Sequence, residues 1–210
     1  MDLSVFNFNE ADRQERRKQL NLEGRLTLVY SGSLDGWYLT EEMADFFATF
    51  LQQRPDVYLL WLTTGSPNRV KTLMDQRGIH NDSFSVQSVS PKDVPSYLSA
   101  ADAGISFYKP GFSRLATSPT KNGEYLACGL PVILNAGIGD SDMLATEWNV
   151  GALVTEFTEQ NYSQSIDRIE QLAREPDIRT RARAVAKELF DLESVGGVKY
   201  AALYERVLSS

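Results

Sequence analysis

The sequence predicts an α/β protein: a doubly wound, Rossmann-like parallel sheet of about six strands, finished by C-terminal helices. Three observations carry that reading. Strand-like and helix-like stretches alternate along the 210 residues. Several strand-like stretches, notably 57–62 and 131–134, are apolar on both faces, as parallel strands covered by helices on two sides have to be. Finally, 42% hydrophobic against 23% charged residues is an ordinary globular composition, and a chain of this size buries a core without covalent staples.

The elements follow in order. Residues 9–20 read as a polar helix. The β-branched, apolar run 26–30 reads as the first strand; it ends in Ser31-Gly32-Ser33 and leads into a helical pattern over 39–53. The rhythm returns as strand 57–63 and helix 69–77, strand 84–89 and helix 93–100, strand 103–107 and helix 120–127, then strand 131–134 and helix 141–148. A short strand at 152–154 precedes a helical tail over 162–208. Right-handed crossovers then bring the loops 31–36, 64–68, 89–93, 108–119 and 135–140 to the carboxyl edge of one sheet, where such folds bind ligands. No repeat, low-complexity tract or Pro/Gly/Ser-rich linker divides the chain.

Composition excludes several classes of function. A net charge of −7 has the wrong sign for gathering nucleic acid. The longest apolar run, 57–62, is far too short to span a bilayer. The lone Cys128 cannot form an internal bridge, and residues 1–10 lack a charged-then-apolar leader, so a cytoplasmic chain is expected. Arg13, Arg16, Arg17 and Lys18, interleaved with Asp12 and Glu15, read as a solvated helix face, with a membrane-surface or interdomain role as the alternative. No His/Cys/carboxylate spacing suits a metal, so no metal or other cofactor is expected.

Two segments could carry chemistry. In Ser31-Gly32-Ser33-Leu34-Asp35-Gly36 a glycine lets backbone N–H groups approach a phosphate, although a plain tight turn uses the same residues. In 118–133, Ser118 suits an N-cap, Pro119 the first helical position, and Gly129 with Pro131 the helix end before the next strand. The helix start near Thr120 and Lys121 would offer free N–H groups and a positive dipole end to an anion, with the Lys121 charge added. Glu124, one turn deeper on the same face, could accept hydrogen bonds from vicinal sugar hydroxyls. The formal Ser118-x-x-Lys121 match to penicillin-recognising acyl-enzymes lacks its companion motifs, since Ser141-Asp142-Met143 and Lys71-Thr72-Leu73 fail both.

The stretch from Ala101-Asp102-Ala103-Gly104-Ile105-Ser106-Phe107, through Ser118-Pro-Thr-Lys-Asn-Gly-Glu-Tyr-Leu-Ala-Cys-Gly-Leu-Pro-Val-Ile133, to Asn135-Ala-Gly-Ile-Gly-Asp140 resembles the carboxy-terminal, donor-binding domain of GT-B glycosyltransferases of family four, the group 1 type. Val29-Tyr-Ser-Gly-Ser-Leu34 resembles that domain's first strand and glycine loop. The resemblance covers about residues 20–155 well and the helical tail loosely.

It implies one half of a GT-B fold: residues 1–22 as an interdomain linker helix and 23–210 as a nucleotide-sugar-binding domain. The partners implied are a nucleotide sugar and the protein's own N-terminal acceptor domain, which this chain lacks; no nucleic acid is expected. Such a piece would bind donor and transfer little by itself. The whole enzyme would move a sugar, with retention, from a nucleoside-diphosphate sugar to a glycan or lipid-linked acceptor in polysaccharide assembly. It would work in the cytoplasm, with room for peripheral contact with the inner face of the membrane through the full-length protein. Rival readings are an inactive nucleotide-sugar-binding or scaffolding module and a GT-B-like sugar-nucleotide epimerase.

Residue by residue, the resemblance puts Glu124 at the ribose, the backbone of Thr120 and Lys121 near the diphosphate, Gly32 in the first loop and Ser90 beside the nucleobase. Asp102, before the fourth strand, reads from its position as a cap or turn acid, although the resemblance places it near the cleft. Two departures stand out. The first acid of the family's Glu-x7-Glu motif is Ala116 here, and the cation that follows the first-loop glycine is Ser33. Lys121 and Arg114 are therefore expected to supply the missing positive charge. His80 reads as a surface turn residue, and Trp37, Trp61 and Trp148 as packing residues.

Overall fold

In a computed structural model, residues 1–208 are described, with the side chain of Arg114 left out. Six strands, β1 (Thr27–Ser31), β2 (Tyr58–Leu62), β3 (Phe84–Gln87), β4 (Ala103–Ser106), β5 (Val132–Asn135) and β6 (Gly151–Val154), form one all-parallel sheet in the order β3-β2-β1-β4-β5-β6. The expected doubly wound sheet is present, and its order reverses between β1 and β4. Every residue of β1, β2, β4 and β5 is buried, which is why these runs lack a polar face.

The helices are α1 (Glu10–Gln19), α2 (Thr40–Gln53), α3 (Pro67–Asp75), α4 (Val94–Ala100), α5 (Thr120–Ala127) and α6 (Ser141–Thr146), followed by α7 (Glu159–Arg174), α8 (Ile178–Phe190) and α9 (Val198–Leu208). Phe46, Phe47 and Phe50 of α2 pack with Trp61 and Leu60 of β2 in a fully buried core. The tail expected as one helical stretch is three α-helices and a π-helical turn, Leu192–Gly197. The loop before α5 holds a 3-10 turn, Phe112–Ala116, that periodicity did not show.

The end of α5 is built as its sequence demands. Gly129 takes φ +73°, its N–H bonds Leu126 O (2.9 Å) and the Leu130 N–H bonds Tyr125 O (2.9 Å), a Schellman closure that only glycine adopts without strain. The start of α5 departs from expectation. Pro119 (φ −65°, ψ 119°) is the N-cap and makes no side-chain cap bond, while Ser118 donates instead to Asp140 Oδ2 at 2.8 Å. With its hydroxyl committed to the loop after β5, Ser118 does not cap the helix.

Two further expectations change. The basic stripe of α1 is not a solvated face: Arg13 and Arg17 turn inward onto Asp102, and Arg16 lies over the Tyr97 ring (4.5 Å to its centroid). These contacts dock α1 on α4. Trp37, expected to pack, is 57% exposed, because it sits on the loop leading into α2 rather than on either buried face.

Candidate functional site

β1 and β4 pair only through Leu28↔Ala103 and Val29↔Gly104, then diverge. Tyr125 of α5 fills the gap. A Cβ at Gly104 would stand 2.4 Å from the Tyr125 ring, so only glycine lets that ring lie against β4. The Tyr125 hydroxyl accepts the Ser31 N–H at 2.8 Å and lies 3.4 Å from Ile105 O. It thereby fixes where β1 ends and the glycine loop begins.

Beyond those strand ends lies a cleft of about 230 Å³. Ser31 and Gly32 close it from β1, Leu62, Thr63 and Thr64 from β2, Val89, Pro91 and Val94 from the β3–α4 connection, Glu124 from α5, and Phe6 from the N-terminal segment. The Gly32 N–H bonds Leu62 O (2.9 Å) and the Thr63 N–H bonds Gln87 O (2.9 Å), so the floor is held by the sheet itself.

Lys121 reaches over Gly32. A Cβ there would stand 2.6 Å from Lys121 Cε, 2.7 Å from Nζ and 2.8 Å from the Tyr30 hydroxyl. The ammonium lies 5.1 Å from the Tyr38 ring centroid, and among the described residues it pairs with no carboxylate. Glu124 is half-buried, and burial pushes its carboxyl above the usual range while Lys121 pulls it back. The Asn122 N–H already bonds Pro119 O at 3.1 Å, which leaves the Thr120 and Lys121 N–H groups at the start of α5 with no side-chain cap and no carbonyl within the helix to bond. One wall therefore offers a cation held over the glycine loop, a helix dipole end and an acceptor-rich carboxylate within two helical turns.

The structure brings Gly32, Lys121 and Glu124 together, with exposed Thr120 at the start of α5. Ser33 and Ser90 flank the cleft without lining it. Ser33 is exposed, and its carbonyl accepts the Tyr30 hydroxyl at 2.5 Å; Ser90 Oγ donates to Asp93 Oδ2 at 2.6 Å. Ser118 is tied to Asp140, away from the cleft lining. Arg114 lies in the 3-10 turn and its side chain falls outside the described residues.

Asp102 is at the opposite edge of the sheet, before β4, where it accepts from Arg13 at 2.6 Å, Arg17 at 3.3 Å and the Thr27 N–H at 2.9 Å. A residue that opens a parallel strand cannot also stand at its carboxyl end, so Asp102 is structural and not near the cleft. Burial pushes the Cys128 thiol up to about 12, which leaves it inert. His80 is exposed in its turn, as expected.

Sequence reasoning missed Phe6, Val89, Pro91, Val94, Thr63 and Tyr125. Tyr125 had a signal, an aromatic residue one position after Glu124 opposite a strand glycine. Phe6 had none, because only the tertiary path of the N-terminal segment carries it to the cleft.

The family described as "Glycosyl transferases group 1" matches residues 12–188. Among curated proteins, Spore coat protein SA of Bacillus subtilis (strain 168) is 24% identical over 186 residues, covering 83% of this chain and 46% of that protein. Among solved structures, Anabaena HepE in complex with UDP-glucose superposes with a TM-score of 0.78 at 20% identity, covering 98% of this chain and 56% of that one. The C-terminal domain of a group 1 glycosyl transferase, LpcC from Francisella tularensis, superposes with a TM-score of 0.68 at 17% identity, covering 91% of this chain and 99% of that one. The chain thus spans about half the length of the curated relative it matches. A transferase family match does not favour the epimerase or scaffolding readings.

Proposed function

Because the chain belongs to the group 1 glycosyl transferases, we propose that it is the donor half of such an enzyme, binding a nucleoside-diphosphate sugar at the carboxyl edge of its sheet. The observation that carries this is the Gly32, Lys121 and Glu124 constellation at the switch point of strand order. In it, the start of α5 and the Lys121 ammonium face the diphosphate, and Glu124 accepts from the ribose hydroxyls. HepE, with UDP-glucose bound, shares the fold and supports a donor of this class.

The chemistry asked of this half is modest. As the glycosidic bond breaks, negative charge grows on the leaving diphosphate. Lys121 and the α5 N–H groups stabilise that charge where it develops, and they do so without a metal. Arg114, in the loop before α5, is proposed as a second cation. Ala116 leaves the donor sugar without a carboxylate from that position, so its hydroxyls are read elsewhere. We infer transfer with retention, to a glycan or lipid-linked acceptor held by a separate domain, with residues 1–22 as the connection. The chain alone would bind donor without appreciable transfer, and the whole enzyme would work in the cytoplasm, at or near the inner face of the membrane.

Calorimetric titration with UDP, GDP and ADP in EDTA tests the reading. One diphosphate should bind, and Glu124→Ala should weaken it tenfold or more. Failure of all three to bind, or equal affinity in the variant, would overturn the assignment.

A further inference from the structure

The cleft has one wall that neither the glycine loop nor α5 supplies. Phe6 lines it, although Phe6 precedes α1 and lies more than twenty residues before the first strand. The segment that carries it is strapped down on both sides. The Met1 backbone nitrogen donates to Phe190 O at 2.7 Å. Arg183 donates to the Phe6 carbonyl, to Leu3 O at 2.7 Å and to Ala127 O at 2.8 Å, tying the strap to the end of α5. Phe8 lies under the Arg179 guanidinium (4.3 Å), and the Asn9 N–H bonds Ser99 Oγ at 3.1 Å. Phe6 is therefore held in place at its backbone, while its half-buried ring faces the cleft.

The rest of the lining tells which part of a ligand meets that ring. Gly32 and Lys121 mark the anionic end and Glu124 the hydroxyl-bearing middle, so what remains is the apolar stretch of Val89, Pro91 and Val94 facing Phe6, with Thr63 and Thr64 as polar groups at the floor beside Leu62. A flat ring with an apolar face and a polar edge fits there. We propose that Phe6 is the stacking wall for the nucleobase of the donor, so that the segment leading into α1 contributes directly to nucleotide affinity. This rests on the donor-site reading above. An aromatic face is worth enough to matter, since stacking on a base is sequence-tolerant yet costly to delete.

The test compares the wild-type 210-residue chain with Phe6→Leu, which keeps apolar packing but removes the aromatic face, and Phe6→Trp, which enlarges it. Titrants are UDP, GDP, ADP and inorganic pyrophosphate, which carries no base. Phe6→Leu should raise Kd for the nucleoside diphosphate that binds by about tenfold and leave pyrophosphate within twofold of wild type. Phe6→Trp should keep the affinity and show indole emission quenched by that nucleoside diphosphate and not by pyrophosphate. Nucleoside-diphosphate affinity within twofold of wild type in Phe6→Leu would overturn the inference alone, provided Glu124→Ala still weakens binding. Equal losses for nucleotide and pyrophosphate would also overturn it, by making Phe6 a structural residue. If the wild-type chain binds no nucleoside diphosphate, the donor-site reading falls and this inference with it.

Discussion

The two ends of the sheet are both rich in charge, and they handle it in opposite ways. At the amino end Asp102 sits among Arg13, Arg17 and Arg179. Arg17 alone donates to Ala100 O at 2.9 Å, Arg25 O at 2.7 Å, Leu22 O and Asp102, and Arg13 adds Ala101 O at 2.8 Å. Of these groups only Arg179 Nη1 is buried without a partner. At the carboxyl end Lys121 has an aromatic ring and no carboxylate, Glu124 is pushed toward protonation by burial, and α5 starts without a side-chain cap. Charge density marks both edges. Among the described groups the amino edge leaves one guanidinium nitrogen unspent, whereas the carboxyl edge offers a cation, a carboxylate and an uncapped helix start, and that is the difference between a clamp and a binding site.

The largest effect should come from breaking the clamp. Asp102→Ala leaves three partly buried guanidinium groups without their counter-charge and the Thr27 N–H without its acceptor. Removing one partner of such a network costs ~3 kcal/mol or more, a fall in Tm of about 10 °C for a chain of this size. Nucleotide affinity of the folded fraction should stay within twofold. A variant that melts like wild type would show that the amino edge is not a clamp at all.

The next effect lies on the other edge and has the opposite profile. Lys121→Ala should weaken nucleoside-diphosphate binding about tenfold, as expected for a charge-assisted contact to phosphate, while shifting Tm by less than about 2 °C. Calorimetry and melting curves on the same samples read both numbers. Loss of stability without loss of affinity would place Lys121 in the packing with Tyr38 and not in the site.

Most of the frame is legible in the sequence. Apolar runs bounded by Gly and Ser marked all six strands within about three residues, and the helix 120–127 was placed by its C-terminal Gly-x-Pro signal. Alternation gives the edge a charged residue occupies, but not the partner that it meets there. Asp102 precedes the strand at 103–107 and so belongs to the amino edge of a parallel sheet, but the sequence does not show that Arg13 and Arg17 of α1 fold back onto it. Arg13 and Arg17 have the spacing of a solvated face, because much of what holds them is backbone carbonyl, residues 99–101 for Arg13 and Ala100, Leu22 and Arg25 for Arg17, which a sequence does not display. Gly32, Lys121 and Glu124 were found because helix geometry and a strand end place them locally. Phe6 was not, because its place depends on Arg183 from α8.

A smaller effect concerns pH. Burial raises the folded-state pKa of Glu124 above its unfolded value. The folded state therefore holds the proton more tightly, and this group's contribution to stability falls as pH rises from the ordinary carboxylate range through the raised value. Glu124→Gln should remove that slope from urea-unfolding free energies measured upward in pH from the ordinary carboxylate range, and should leave the ligand-free chain no less stable at neutral pH. A slope unchanged in the variant would mean that the carboxylate is solvated like any surface acid. The carboxyl edge would then lose one of the features that set it apart.

The smallest effect sharpens the contrast most directly, because it asks whether the start of α5 is already satisfied. An N-cap serine bonds an early helix N–H, and replacing one with alanine costs ~1 kcal/mol. Ser118 does not do this: Pro119 occupies the cap position and the Ser118 hydroxyl donates to Asp140 across an exposed contact of 2.8 Å. Ser118→Ala should therefore cost no more than about 0.5 kcal/mol, the ordinary range for a surface substitution, and nucleotide affinity should be unchanged. A cost near the full capping value would mean that the helix start is closed by its own side chain, and the free N–H groups on which the diphosphate site depends would already be spent. A negligible cost would leave them open toward the glycine loop. The amino edge, where Asp102 and the carbonyls of residues 99–101 absorb nearly every arginine donor, has no such opening to offer.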